Sequence, residues 1–379
     1  MEAASMRKVL NWLKNELVMV AACVMAIISA FFVPPSRAYL EYIDEDVLLC
    51  LFCLMVVVAG FKKVKAFELA AEWVAQKSRH IRQLALGIIL LTYVLAMFMT
   101  NDVALITLVP FTLIVLEKVN ESRYAILIIV LQTIAANIGS SLTPMGNPQN
   151  LYLFSRYGLG LSQFLLLMTP IVALGGILLV LSTLLIEKKP LPAMENMTSY
   201  AMDRKRFFVY CLLFAISVLA VFKVIPYLWA GIIVTFFVLI MDRRLFGQVD
   251  YSLLVTFIGF FIFVGNISKI EYVRDFLSQL LNRSEFAISV LTSQIISNVP
   301  AAVLLSGFTD NYRELLLGVN VGGMGTLIAS LASVISYKLY TKAHPKLSGR
   351  FFKVFTAFNV IFLILLGAAA LLLLNLFKA

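Results

Sequence analysis

The sequence predicts an all-α polytopic membrane protein, on three observations. Of its 379 residues, 61% are hydrophobic and 14% charged, against about 45–50% and about 25% in a soluble domain. The apolar residues form continuous runs about as long as helical spans, not the short alternating segments of a transmembrane β-barrel. Polar, helix-breaking interruptions also recur inside these runs, in matched positions of the two halves.

Residues 1–16 carry Arg7, Lys8 and Lys14 and are expected on the cytoplasmic side, where the positive-inside bias keeps the Lys and Arg of short loops. Leu17–Val33 imitates a signal peptide, but it is long and lacks a small-residue cleavage site, so it is read as a retained span. Pro34–Asp46 holds Glu41, Asp44, Glu45 and Asp46 and suits the outer side. Val47–Gly60 returns. Phe61–Gln83 is rich in Lys and Arg, with Phe67, Ala70, Ala71 and Val74 at helical spacing, and predicts an amphipathic helix on the inner surface.

The run 84–116 is interrupted at Thr100-Asn101-Asp102 without a Gly or Pro turn, which predicts a helical hairpin whose join lies inside the membrane. The helix over 124–155 is interrupted by the small, polar stretch Asn137–Pro148, a discontinuous helix of the kind tolerated where unwound backbone is buried or lines a cavity. Asn147 followed by Pro148 suits an N-cap and first helical position. These elements, with Leu161–Ile186, make a first unit over 17–186. Residues 187–227 supply a cytoplasmic loop and a linking span. The second unit, 228–379, repeats the order: two spans, an amphipathic helix over Ser268–Arg283, a hairpin over 286–308 broken at Ser297–Pro300, a helix over 314–338 broken at Asn320–Thr326, and a last span.

Ala136–Thr143 aligns over Val319–Thr326, and Thr100-Asn101 over Ser297-Asn298. The linking span adds one crossing, so the repeats are expected to be inverted, with the N-terminus cytoplasmic and the C-terminus outside. Inverted repeats with discontinuous helices in corresponding positions point to a secondary transporter with its site at the repeat interface. Gly, Ser and Asn inside spans also serve close helix packing, but two matched pairs favour a site.

The net charge of +10 reflects Lys and Arg in loops, so no nucleic-acid partner is expected. Cys23, Cys50, Cys53 and Cys211 lie in apolar runs, and His80 and His344 in basic loops. Apolar packing and solvated loops explain them better than metal or redox chemistry. No phosphate-binding glycine loop, ATPase segment or catalytic triad is present, so the chain is not expected to be an enzyme and its energy source would be an ion gradient.

At these residues the chain resembles the ion transporter superfamily, which includes arsenite permeases, NhaD-type sodium/proton antiporters and divalent anion/sodium symporters of the citrate-transporter kind. Thr100-Asn101-Asp102 and Ser297-Asn298-Val299 resemble that family's paired Ser-Asn-Thr hairpin tips. Gly139–Asn150 and Gly322–Ser330 resemble its paired unwound segments. Asp102 and Val299 stand where the symporter motif has Thr, and Ala329-Ser330-Leu331-Ala332 where symporters often carry Pro-Pro-Asn. Asp102 resembles the Asn-Asp tip of arsenite-permease-like members, and the chain, short for the superfamily, is most similar to its small anion-permease members. The resemblance implies an elevator motion in a homodimer, the amphipathic helices acting as connecting arms.

The expectation is a transporter of a small anion or oxyanion, embedded in the bilayer of the plasma (inner) membrane and coupled to protons or sodium. Substrate ligands are expected at Thr100, Asn101, Asn147, Ser297, Asn298 and Thr326. Ion coupling is expected at Asp102, Asn137, Gly139, Ser140, Thr143, Asn320, Gly322 and Gly325. A sodium ion at Asn101, Asp102 and Asn298, or a proton on Asp102, would serve as the coupling ion; Asp102 as an N-cap of the second hairpin arm is the alternative. Half-helix N-termini suit an anion and unwound carbonyls a cation. Alternatives are an NhaD-type sodium/proton antiporter and a passive anion channel.

Overall fold

The computed structural model describes residues 16–192 and 202–378. The basic start carrying Arg7, Lys8 and Lys14, and part of the mid-chain loop, lie outside them. Among the described residues the secondary structure is helical, with no strand.

Helices α1 (Leu17–Phe32) and α3 (Glu45–Lys63) match the first two expected spans, and a short α2 (Ala38–Tyr42) folds between them. Asp44 caps α3: its Oδ1 accepts from the Val47 N–H at 3.0 Å. Glu45 and Asp46 lie in the first turn of α3 and Lys62 and Lys63 in the last, so charges complement the helix dipole at both ends. Lys65 is left-handed (φ 59°), and the chain bends by 52° into α4 (Ala66–Lys77). His80 then caps α5 (Ile81–Phe98), its Nδ1 accepting from the Gln83 N–H. The expected amphipathic stretch Phe61–Gln83 is therefore shared among three elements. The left-handed turn and the histidine cap set the limits of its helix.

The first hairpin is α5 and α6 (Asn101–Lys118). Its join is Met99–Thr100, both extended, so Asn101 and Asp102 already belong to the first turn of α6. The first broken helix is α7 (Ala125–Ser140) and α8 (Pro148–Arg156). Only 141–147 is unwound, so Asn137, Gly139 and Ser140, expected in the break, are helical. Asn147 caps α8 through the Asn150 N–H, with Pro148 at the first position, as its sequence suggests. Helix α9 (Leu161–Ser182) closes this half.

The linking span is α10 (Arg204–Val221). Helices α11 (Tyr227–Asp242) and α12 (Tyr251–Ile267) follow, joined by the 3-10 turn Arg243–Gln248. Helix α13 (Glu271–Leu281) is the second amphipathic element. The second hairpin is α14 (Glu285–Ile296) and α15 (Asn298–Leu305), joined at Ser297 alone. Asn298–Pro300 form the first turn of α15, where the missing N–H of Pro300 breaks no helical bond. At about 1.5 Å per residue, α14 and α15 are about 18 and about 12 Å long, well short of a ~30 Å hydrocarbon core. The second broken helix is α16 (Tyr312–Val321) and α17 (Leu331–Ala343), with 322–330 between them. Asn320 is thus still helical. Helix α18 (Ser348–Lys378) ends the described chain.

Contacts between the halves come in exchanged pairs. Helix α1 packs on α12, and α11 on α3. Helix α6 packs on α17, and α15 on α8. Helix α7 packs on α18, and α16 on α9. Replacing each helix by its counterpart in the other half converts one packing into the other, as a pseudo-two-fold arrangement requires. The two broken helices lie at the centre, with α7 buried along almost its whole length.

Candidate functional site

Each broken helix carries an asparagine near its break that reaches into the break of the other. Asn137, in the last turn of α7, accepts at Oδ1 from Ser330 Oγ at 2.9 Å and donates from Nδ2 to Gly323 O at 3.3 Å. Asn320, in the last turn of α16, accepts at Oδ1 from Asn147 Nδ2 at 3.3 Å and donates to Asn150 Oδ1 at 2.7 Å. Ser330 and Asn147 are the N-cap residues of α17 and α8. Two half-helix N-termini therefore meet at the crossing point, each tied to the opposite repeat. All four residues are buried. Buried amides without partners would be strongly destabilising, and this exchange satisfies them.

The hairpins approach the same centre. Asn101 donates from Nδ2 to Asn137 Oδ1 at 3.1 Å, so the first tip joins the network. Ser297 Oγ makes only two long contacts, 3.4 Å to Asn298 Oδ1 and 3.4 Å to Ala329 O. Asn298 is buried beside Gly323, where an added Cβ would come within 2.9 Å of Asn298 Nδ2. The two threonines of the breaks play one part: Thr143 Oγ1 donates to Met97 O, and Thr326 Oγ1 to Gln294 O at 3.0 Å. Met97 and Gln294 stand at the same position before their tips, so the alignment of the halves holds at the level of single hydrogen bonds.

A cavity of about 440 Å³ ends at the first tip. Thr100, Asp102, Met145 and Pro148 line its inner end, and Lys62, Gln248 and Asp250 lie where α3 ends and α12 begins. Asp102 Oδ1 is buried and accepts no hydrogen bond. The N-cap of α6 is Thr100, without a side-chain capping bond, so the alternative of Asp102 as N-cap is replaced by a first-turn carboxylate facing a cavity.

Of the expected site residues, Asn101, Asn137, Asn147, Asn320 and Ser140 are brought into one network, with Ser140 Oγ accepting from Asn147 Nδ2 at 3.2 Å. Ser297 and Asn298 lie beside it; Thr100 and Asp102 face the cavity. Thr326 is exposed and bonded to Gln294, away from the central amides. Gly139 acts through close packing, since a Cβ there would meet Tyr93 O at 2.2 Å. Gly322 packs on Ser293, and Gly325 takes φ 110°, a left-handed backbone that favours glycine. Sequence reasoning passed over Gln294, Asn150, Ser330, Lys62 and Asp250. Ser330 closes the second unwound segment, Asn150 lies in the first turn of α8 just past the first, and Gln294 is an amide in an apolar run one turn before a tip. Lys62 and Asp250 had no local signal.

A helical bundle with two broken helices meeting at a buried polar centre, with a cavity at the first hairpin tip beside it, defines a multi-pass membrane transporter. Residues 7–311 match the citrate transporter (CitMHS) family model, and the chain belongs to that family. It is 34% identical over 301 residues to the uncharacterized transporter MJ0456 of Methanocaldococcus jannaschii, covering 78% of this chain and 81% of that one. It is 32% identical over 316 residues to the inner membrane protein YbiR of Escherichia coli, covering 82% and 84% respectively. A shorter match, 32% over 133 residues, 35% of this chain and 27% of the relative, is to the silicon efflux transporter LSI3 of Oryza sativa.

Proposed function

We propose that this protein is a secondary active transporter that moves a small anion or oxyanion by an elevator-type alternating-access motion, coupled to protons or sodium. The observation that carries the reading is the exchange of Asn137 and Asn320 between the two broken helices, beside a cavity that ends at Asp102. Paired half-helix N-termini favour an anion and unwound carbonyls a cation. In this state the central amides are bonded to one another, so substrate entry requires the hairpins to separate from the breaks. The basic end of α3 and the Arg243–Arg244 turn that precedes α12 are read as cytoplasmic, so the cavity faces inward. The protein is read as residing in the inner membrane as a homodimer of inverted repeats, with the C-terminus outside.

A sodium/proton antiporter is the second reading. The ionisable groups lining the cavity are the carboxylates Asp102 and Asp250 and a single ammonium, Lys62, a balance that suits a cation. Proteoliposomes with an imposed sodium or proton gradient separate these readings. Accumulation of citrate, phosphate, arsenite or silicate against its own gradient supports the transporter; equilibration without accumulation indicates a channel. Sodium-dependent proton flux with no anion moved indicates antiport. Asp102→Asn is expected to abolish the pH or sodium dependence of transport, and an unchanged dependence removes Asp102 from coupling.

A further inference from the structure

The two contacts between hairpin arm and half-helix that the repeats exchange end differently. At the α8–α15 contact, Tyr152 and Ser306 share a hydrogen bond at 2.8 Å, and the Tyr157 hydroxyl donates to Thr309 O at 2.8 Å. The two ends are tied directly to each other. At the α6–α17 contact both helices are longer. With Asn101 over Asn298, Leu108 matches Leu305, the last residue of α15, yet α6 continues to Lys118. With Ser330 over Asn147, Leu339 matches Arg156, the last residue of α8, yet α17 continues to Ala343. The overhanging turns border a cleft of about 540 Å³. Its walls include Pro110, Leu113, Ile114 and Leu339, and its rim carries Glu117, Lys342 and His344.

The cleft is thus apolar along its walls and polar at its mouth, on the side read as cytoplasmic. Ile114 is exposed, so the wall opens to the surroundings of the bundle, which for a membrane-spanning chain is lipid. The mouth is basic: residues 338–353 carry Lys338, Lys342, Lys346, Arg350 and Lys353 and no acid. The positive-inside bias accounts for such a loop, but not for His344. That ring stacks on Tyr340 at 5.1 Å, which stacks on Phe351 at 4.8 Å, so its position is fixed. Its Nδ1 is nevertheless buried without a hydrogen-bond partner, a costly arrangement unless something supplies one. Lys342 beside it is exposed and forms no ion pair among the described residues.

We infer that this cleft seats an anionic glycerophospholipid of the inner leaflet. Lys342 and the Nδ1–H of His344 hold its phosphate, and an acyl chain lies along the walls of α6 and α17. Basic pockets between transmembrane helices on the cytoplasmic side suit such head groups. Glu117 on the same rim opposes a second negative charge, so a phosphodiester carrying one charge fits better than a free phosphate dianion. The lipid bridges one helix from each repeat, where the opposite contact uses tyrosines. The inference goes beyond the transport reading and needs only that the chain spans a membrane.

The test uses the purified, delipidated full chain in detergent. Its melting temperature is compared in mixed micelles of phosphatidylglycerol, phosphatidylcholine or phosphatidylethanolamine with identical acyl chains, and with inorganic phosphate at equal ionic strength. Phosphatidylglycerol is expected to raise it by several degrees, as ligand linkage requires, and the other additions by less than half as much. Lys342→Gln and His344→Gln should each lose most of that rise. Lys346→Gln removes the same charge from the same loop without touching the cleft, and should keep the rise in full. Equal rises with the three lipids overturn the inference, as does a full rise in Lys342→Gln. Loss of the rise in Lys346→Gln as well assigns it to general loop charge, and an equal rise with inorganic phosphate assigns it to an anion without a chain; either overturns the lipid. Should His344→Gln not fold, Leu113→Trp fills the cleft with its rim intact, and a full rise there overturns the inference.

Discussion

The two hairpin tips occupy matched positions and are built differently. At the first, Met99 and Thr100 form an extended two-residue join, Thr100 having φ −60° and ψ 140°, and Asn101 is bonded to Asn137 at 3.1 Å. At the second, Ser297 alone makes the turn, with φ 79° and ψ 155°, a region that only glycine enters readily. Its hydroxyl makes only contacts of 3.4 Å. The first tip also carries the acid, Asp102, with Val299 opposite it in the second. One tip is relaxed, anchored and charged; the other is strained, loosely held and uncharged. The repeats thus supply a common frame, and single residues divide the work between its halves.

The contrast is tested most severely in the network. Asn137→Ala removes three bonds and leaves Asn101 and Ser330 with buried unpaired groups, so it is expected to destabilise the protein by about 2–4 kcal/mol. Asn298→Ala, at the loosely held tip, is expected to lose under about 1 kcal/mol. Equal losses in chemical unfolding of the detergent-solubilised protein would erase the difference between the tips.

Backbone substitution gives the next largest effect. Ser297→Gly relieves the left-handed serine and is expected to stabilise by about 1–2 kcal/mol. Thr100→Gly, in ordinary extended backbone, is expected to destabilise by about 0.5–1 kcal/mol. Opposite signs at matched positions are the outcome to look for; a destabilised Ser297→Gly variant contradicts the strain argument.

The smallest effect lies at the base of the first hairpin, outside the spans. Lys189 and Arg123 flank Glu121 and hold its carboxyl below the usual range. The chain from Ile186 to Leu191 is strapped to the start of α5: Arg82 Nε donates to Ile186 O, and Ile81 N–H to Lys189 O. Because the folded pKa is depressed, this stabilisation is complete above the unfolded value of about 4.3 and is lost as the pH falls through the folded value. Glu121→Gln should flatten the acid side of the stability–pH curve. A melting temperature that declines with acid as steeply as in the unmodified chain argues against this pairing.

Membership of an all-α membrane fold, the cap at Asn147 and the matched interruptions were legible in the sequence. They depend on residue type and local spacing: apolar runs need lipid, Asn-Pro starts helices, and polar stretches within spans demand a reason. The helix ends at Ser140 and Val321 were not legible, since tertiary packing carried the helix through residues of weak propensity. Packing of Gly139 against Tyr93 O is one such contact. Only the folded chain could decide which asparagine meets which break, why Thr326 faces outward, and how Gln294 comes to hold Gly322 and Met324. Those bonds join residues far apart in the chain, and their partners are selected by how the repeats cross. The physical reason is range: propensity and hydropathy act over a few residues, whereas a buried amide takes whatever donor or acceptor the tertiary packing places against it.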